Sequence, residues 1–348
     1  MENPCGGWKR FSTSGDAWFR SLPVKRFFQS EVGAAVIWVV SSLLVAAVIA
    51  PWVYQGGKQF AALAAASDLP ALLEWLGAAC ERARFERFFN RSWLGAALLL
   101  LPLLFRRIKA LRAMAGAAAV PRAARLAWQE GLLQIVFGCV IAGGMLWIMG
   151  LLLAMVGAYQ FTAYPVVVST LATKILIPAV VVSLLEEWLF RGVLLGLWLR
   201  CASPVGACFG TSVLFALLHF IRLPEGTVIA DPAHALAGFE LLGKIIRHFT
   251  DPLFFVTDFA TLLAVGLILA WARVRTGALW FSIGLHAGWI MAFKGFNFLY
   301  QIVPNHVLRP WGVGNSLSSG VLPMLMLGLT AVVCYFALRR FGVRPVVV

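Results

Sequence analysis

Long apolar runs alternate along this chain with short polar connections. Apolar stretches fall at 32–54, 93–105, 131–158, 166–199, 206–221, 252–271, 277–300 and 320–338. Most reach the roughly 20 residues that a helix needs to cross a hydrocarbon core about 30 Å thick. The run at 93–105 is short and leans on its neighbours. The run at 166–199 is too long for one straight crossing, which predicts a tilt or a break near Pro178. The pattern as a whole predicts an all-α, polytopic transmembrane helix bundle of about eight spans.

Composition agrees. The chain has 348 residues, 61% of them hydrophobic and 13% charged, against about 25% charged in a soluble domain. Mean hydropathy is +0.86. The net charge of +14 would suit nucleic acid, but no soluble basic segment is long enough to carry that role. The basic residues instead flank apolar runs, where they set topology and meet anionic lipid. Segments 1–30, 106–130, 200–205, 272–276 and 339–348 are rich in Arg or Lys, whereas 158–165 and 301–319 have almost none. This predicts a multi-pass protein of the cell inner (plasma) membrane with both termini cytoplasmic. The loop at 55–91 dissents, its basic residues being interleaved with acidic ones, and Glu81 to Arg87 reads as an amphipathic surface helix. The six cysteines show no metal-ligand spacing and no disulfide framework. Two segments are expected: 1–130, an arm with two spans and a basic loop, and 131–348, a helical core with a C-terminal span. The insert at 223–251 reads as irregular.

Chemistry enters where charge interrupts an apolar helix. Ser183-Leu-Leu-Glu186-Glu187-Trp-Leu-Phe190-Arg191-Gly192 puts two carboxylates and a guanidinium between uncharged stretches. Ionised groups at membrane depth are costly and point to function. Glu187 and Arg191 share a helix face and can pair. Glu186 lies on the neighbouring face with Phe190 and has no local cation. Such a desolvated carboxyl can exchange a proton and act as general base or acid. Two more polar residues lie in apolar runs: His219 in Phe215-Ala-Leu-Leu-His219 and His286 in Gly284-Leu-His286-Ala-Gly288. Glu and His on three helices converge only in a bundle core. Glu186, His219 and His286 are ligand types for a catalytic divalent metal such as zinc. They are equally the groups that hold and deprotonate a water.

In order, Glu186-Glu187-x-x-x-Arg191, Phe215-x-x-x-His219 and His286-Ala287-Gly288 resemble the three signatures of the CAAX-protease and bacteriocin-processing intramembrane endopeptidases. This is the CPBP (or Abi) family, which includes the Ras-converting CAAX endopeptidase. The resemblance covers about residues 165–300. It implies hydrolysis of a peptide bond in a membrane-associated protein or peptide, with membrane lipids as surroundings and no nucleic acid. Glu186 matches the water-activating residue, Glu187 and Arg191 the supporting pair, and His219 and His286 the groups that bind water or stabilise an oxyanion. The chain departs from the pattern at Ile290, where the family often has a polar residue. The family has been classed as glutamic and as metallo-type, and a Glu-activated water without obligatory metal is the reading favoured here.

Each residue also has a plainer reading. Glu187 and Arg191 can be a structural ion pair, and His219 and His286 can be satisfied core histidines. His234, His248 and His306 read as solvated loop residues, and Lys174 as a snorkelling or pairing lysine. Two other functions use charges at membrane depth. A proton-coupled transporter would show inverted repeats or paired broken helices, which the sequence lacks. A catalytically inactive scaffold or immunity factor would keep the motifs without turnover.

Overall fold

The structure, a computed structural model, describes residues 30–115, 128–162, 168–200, 202–221 and 228–340. The N-terminal arm, part of the basic loop with Arg122 and Arg125, Cys5, Cys201, Arg222 and Arg344 lie outside the described residues.

Helices dominate. Helix α1 (Glu31–Ala66) starts at Ser30, whose hydroxyl accepts from the Gly33 amide, the usual way to satisfy a free first-turn N–H. It runs 36 residues, about 54 Å at 1.5 Å per residue, and so continues past the expected end at 54. Its extension is held by aromatic contact. A side chain at Gly57 would collide with the Phe88 ring, and Tyr54 meets Phe85 and Phe88 edge-on. Helix α2 (Ala71–Arg82) follows, and α3 (Phe85–Ala115) returns antiparallel to α1, with Trp38 donating to Ala97 and Trp93 to Ser42. The amphipathic helix expected at Glu81–Arg87 does not form as one unit. The chain turns at Ala83, which is extended, because Ala83, Phe85, Phe88 and Phe89 are all buried, and one straight surface helix could not bury them against α1.

Helix α4 (Trp128–Met155) ends at Gly157, at φ +80°. Strand β1 (Tyr159–Phe161) pairs antiparallel with β2 (Tyr300–Ile302), Tyr159 facing Ile302. This clip ties the end of α4 to the end of α9 (Trp280–Leu299). Helix α5 covers 168–198 and stays helical through Pro178. Two wide π turns, Ala172–Leu176 and Trp188–Leu194, separate its α segments. The expected break is thus a bulge: Pro178 donates no hydrogen bond, and the turn before it widens. Helix α6 (Pro204–His219) is capped by Ser203 with Pro204 in its first turn. The insert holds a helix, α7 (Ala237–His248), where an irregular segment is expected. Its apolar stripe of Ala237, Leu241 and Ile245 packs with Ala46, Ala47 and Ala50 of α1 and with Phe85 and Phe89 of α3. Helix α8 (Pro252–Thr276) contains a third π turn at Phe255–Phe259 and stops at left-handed Gly277. Helix α10 (Val321–Arg340) is the last of the described elements.

Four helices, Glu31–Ala66, Trp128–Met155, Pro252–Thr276 and Val321–Arg339, are long and apolar enough to cross a membrane. The other four apolar stretches fall on α3, α5, α6 and α9, which are not among these four.

Helices α4 and α9 pack backbone to backbone along a ladder of glycines. A Cβ on Gly288 would lie 2.5 Å from the Cys139 carbonyl oxygen, and one on Gly138 2.7 Å from that of Phe281. Small residues let membrane helices touch backbone to backbone. The obstacle is main chain and cannot swing aside. Gly288→Ala is therefore expected to cost about 1–3 kcal/mol by overpacking and to lower the thermal midpoint in detergent by several degrees. An unchanged midpoint would refute the close approach.

Candidate active site

The motif residues from α5, α6 and α9 meet in the bundle core. Glu187 and Arg191 are 0% and 2% exposed. Arg191 Nη1 donates to Glu187 Oε1 at 2.8 Å. This i,i+4 pair links the last residue of the α segment Ile177–Glu187 to the π turn Trp188–Leu194, and π bulges in helices are frequent at functional positions. Arg191 Nη2 donates to the Gly266 carbonyl of α8 at 3.2 Å. Its guanidinium carbon lies 4.4 Å from the centre of the Phe215 ring, a cation–π contact in a desolvated setting. The charge is thus met on three sides.

Glu187 does more than anchor Arg191. The same Oε1 lies 2.9 Å from His286 Nδ1, so His286 carries its hydrogen on Nδ1 and donates it to the carboxylate. His219 Nδ1 lies 2.8 Å from the Phe215 carbonyl, which accepts from it. Both tautomers are assigned from these partners. They leave Nε2 of each ring free, and both Nε2 atoms face Glu186. His219 Nε2 is 3.4 Å and His286 Nε2 3.8 Å from Glu186 Oε2. Glu186 Oε2 is buried without a hydrogen-bond partner among the protein groups. With both rings in these tautomers, three lone-pair acceptors point at one another with no proton between them. A buried acceptor left unpaired costs about 1–3 kcal/mol, and a bridging water donating two hydrogens relieves two of them.

The Phe215-x-x-x-His219 spacing has a geometric explanation. Four residues apart on α6, Phe215 supplies the carbonyl that fixes His219, while its ring packs 4.3 Å from His219 and 6.0 Å from His286 between ring centres. The same ring covers Arg191. Sequence reading takes Phe215 as a motif marker only. It misses Gly266, whose lack of a side chain lets Ser212 of α6 pack against α8 and exposes the carbonyl that Arg191 uses.

Glu186, His219 and His286 open into a cavity of about 840 Å³. Ile290, one turn beyond His286, is part of its wall. So are Asp258 and Lys294, charged residues in apolar helices that the reasoning applied to Glu186 also singles out. His248 is not a loop residue: it ends α7, lies 4.0 Å from the Phe254 ring between centroids, and lines the cavity. His306 Nε2 lies 3.0 Å from the Val156 carbonyl, while His234 is exposed. Lys174 is exposed and away from the cavity lining. Among the described residues no group of three or more His, Cys, Asp or Glu side chains is arranged to hold a metal ion.

Comparison with known families gives a match over part of the chain. Residues 168–292 match the family described as Rce1-like, type II CAAX prenyl endopeptidase. No curated protein and no solved structure matches the chain. The matched stretch holds Glu186, Glu187, Arg191, His219 and His286 together, in agreement with the resemblance that their spacing carries. Residues 168–292 are thus similar to the Rce1-like CAAX prenyl endopeptidase family, and they lie in a multi-pass helical membrane protein.

Proposed function

We propose that this protein is an intramembrane endopeptidase that hydrolyses a peptide bond of a membrane-associated protein or peptide by a Glu-activated water. One observation carries the reading: Glu186 Oε2 and the free Nε2 atoms of His219 and His286 converge at the floor of one cavity. A water there donates one hydrogen to Glu186 and one to a histidine, which aims its lone pair into the cavity. Glu186 takes a proton as the water oxygen bonds to the scissile carbonyl carbon. It returns that proton to the amide nitrogen as the C–N bond breaks, giving a carboxylic acid and an amine. Oxyanion stabilisation by His219 or His286 requires a proton on Nε2, since each Nδ1 hydrogen is already committed. Glu187 and Arg191 position His286. The chemistry resides in 131–348, within a plasma-membrane protein whose termini are cytoplasmic. No step passes through a metal, so cleavage is expected to persist with a strong chelator present.

Terminal-peptide mapping of membranes from cells expressing wild type or Glu186→Gln at equal level tests this. New termini confined to wild type, with and without chelator, support the reading. Identical termini with a folded variant refute it and favour an inactive scaffold. Termini lost on chelation alone favour a metal-dependent route.

A further inference from the structure

The cavity is one-sided. On α9 its lining runs from His286 to Lys294, on α8 from Leu253 to Val265, on α10 from Pro323 to Thr330, and on α5 it ends at Glu186. No lining residue lies beyond Glu186 on α5, before His286 on α9, beyond Val265 on α8 or beyond Thr330 on α10. That end of the bundle is sealed: Phe281 and Leu285 below His286 are 0% exposed, as is Glu187. At the opposite end Asp251, Lys294, Asn315 and Ser318 line the cavity and are exposed. The mouth is therefore at the end where α6 finishes, α8 and α10 begin and α9 finishes.

The sealed end carries most of the basic residues of the connections. Arg200 pairs with Glu31 at 3.3 Å, which places the end of α5 beside the start of α1. Helix α3 is antiparallel to α1, so Arg106, Arg107 and Lys109 lie at that end too. Arg273 and Arg275 finish α8. The Gly320 amide donates to the Thr257 carbonyl at 2.8 Å, so α10 starts beside the start of α8 and ends in Arg339 and Arg340 at the sealed end. Basic connections mark the cytoplasmic side. The mouth end has basic residues of its own, such as Arg84, Arg87 and Arg247. By sequence, however, the segments adjoining the sealed end (1–30, 106–130, 200–205, 272–276 and 339–348) hold 17 Lys and Arg, and those adjoining the mouth (55–91, 222–251 and 301–319) hold 9. The rule counts Lys and Arg rather than net charge.

We infer that the cavity opens to the non-cytoplasmic face of the membrane and admits its substrate there. Resting on the endopeptidase reading, this names the substrate class: an extended polypeptide segment of an exported or membrane-anchored protein, presented from the side opposite the more basic end. A segment tethered at the cytoplasmic face meets the closed floor.

The test uses the full chain in cells, with the native cysteines replaced. Ser318→Cys is expected to react with a membrane-impermeant maleimide in intact cells, and Arg275→Cys only after permeabilisation. A bulky maleimide at Ser318→Cys is expected to reduce wild-type-dependent new termini at least ten-fold, and the same reagent at Arg275→Cys to leave them unchanged. Those termini should map to segments on the non-cytoplasmic side. Ser318→Cys reacting only after permeabilisation, or termini from cytoplasmic segments, overturns the inference while leaving the endopeptidase reading intact. Equal termini in wild type and Glu186→Gln overturn that reading, and the substrate assignment with it, whatever the labelling.

Discussion

Glu186→Gln is expected to lower kcat by about 10²–10⁴, the range over which a positioned acid–base group acts, while KM moves little. The amide keeps the size of the carboxyl and can still accept from a water, but it cannot take a proton at Oε2. The oxygen that faces His219 at 3.4 Å and His286 at 3.8 Å is the atom affected. Combining Glu186→Gln with His219→Ala is expected to add little, because groups acting as one unit lose most of their effect with the first removal. Initial rates on a fluorogenic peptide drawn from a mapped cleavage site measure both. Additive losses would show that Glu186 and His219 act separately, and an unaltered kcat for Glu186→Gln would end the proposed mechanism.

The second large effect is on stability. Glu187→Ala is expected to destabilise the protein by about 3–5 kcal/mol, the cost of leaving one member of a buried ion pair behind. Arg191 has no solvent to turn to at 2% exposed. The Gly266 carbonyl and the Phe215 ring do not neutralise its charge. Replacing both partners, Glu187→Leu with Arg191→Met, is expected to restore most of that stability, since apolar pairs of similar volume often match a buried ion pair. Activity should not return with it, because His286 Nδ1 loses its carboxylate in both variants. Thermal unfolding in detergent, read alongside cleavage rate, separates the two roles. A Glu187→Ala protein as stable as wild type would show that the pair is not desolvated as described.

How much of this is visible in the residues depends on range. Glu186, Glu187, Arg191, His219 and His286 are conspicuous because each breaks an apolar run, and the penalty for burying charge in a membrane is independent of the fold. The structure brings all five together. The helical class follows from the same hydropathy. The features that escape are those set by contacts distant in sequence. Gly266 and Phe215 matter only because Arg191 reaches them across helices. The insert at 223–251 reads as irregular because Pro224 and Pro232 dominate it locally, yet α7 forms where α1 and α3 provide a surface for its apolar stripe. The strands are three residues each and rest on a pairing between residues about 140 positions apart, which no local pattern encodes. The wide turns in α5 carry no sequence signature beyond Pro178.

Those wide turns give length changes an unusual meaning in this chain. An ordinary helix tolerates no lost residue without swinging everything beyond it by about 100°, the angle set by 3.6 residues per turn. The stretch Trp188–Leu194 already holds one residue more than a regular spiral of that rise needs. Deleting a residue there, at Val193 for example, would leave a helix of ordinary appearance and good hydrogen bonding. It would also rotate Leu195–Trp198 away from Ala207 and Ala270, which they pack against through Leu195, or else turn the carboxylates away from the histidines. The spare residue works as an angular offset between the half of the helix that anchors and the half that reacts. In comparisons among related chains, a gap placed within that stretch therefore signals a reoriented carboxylate pair rather than a neutral shortening.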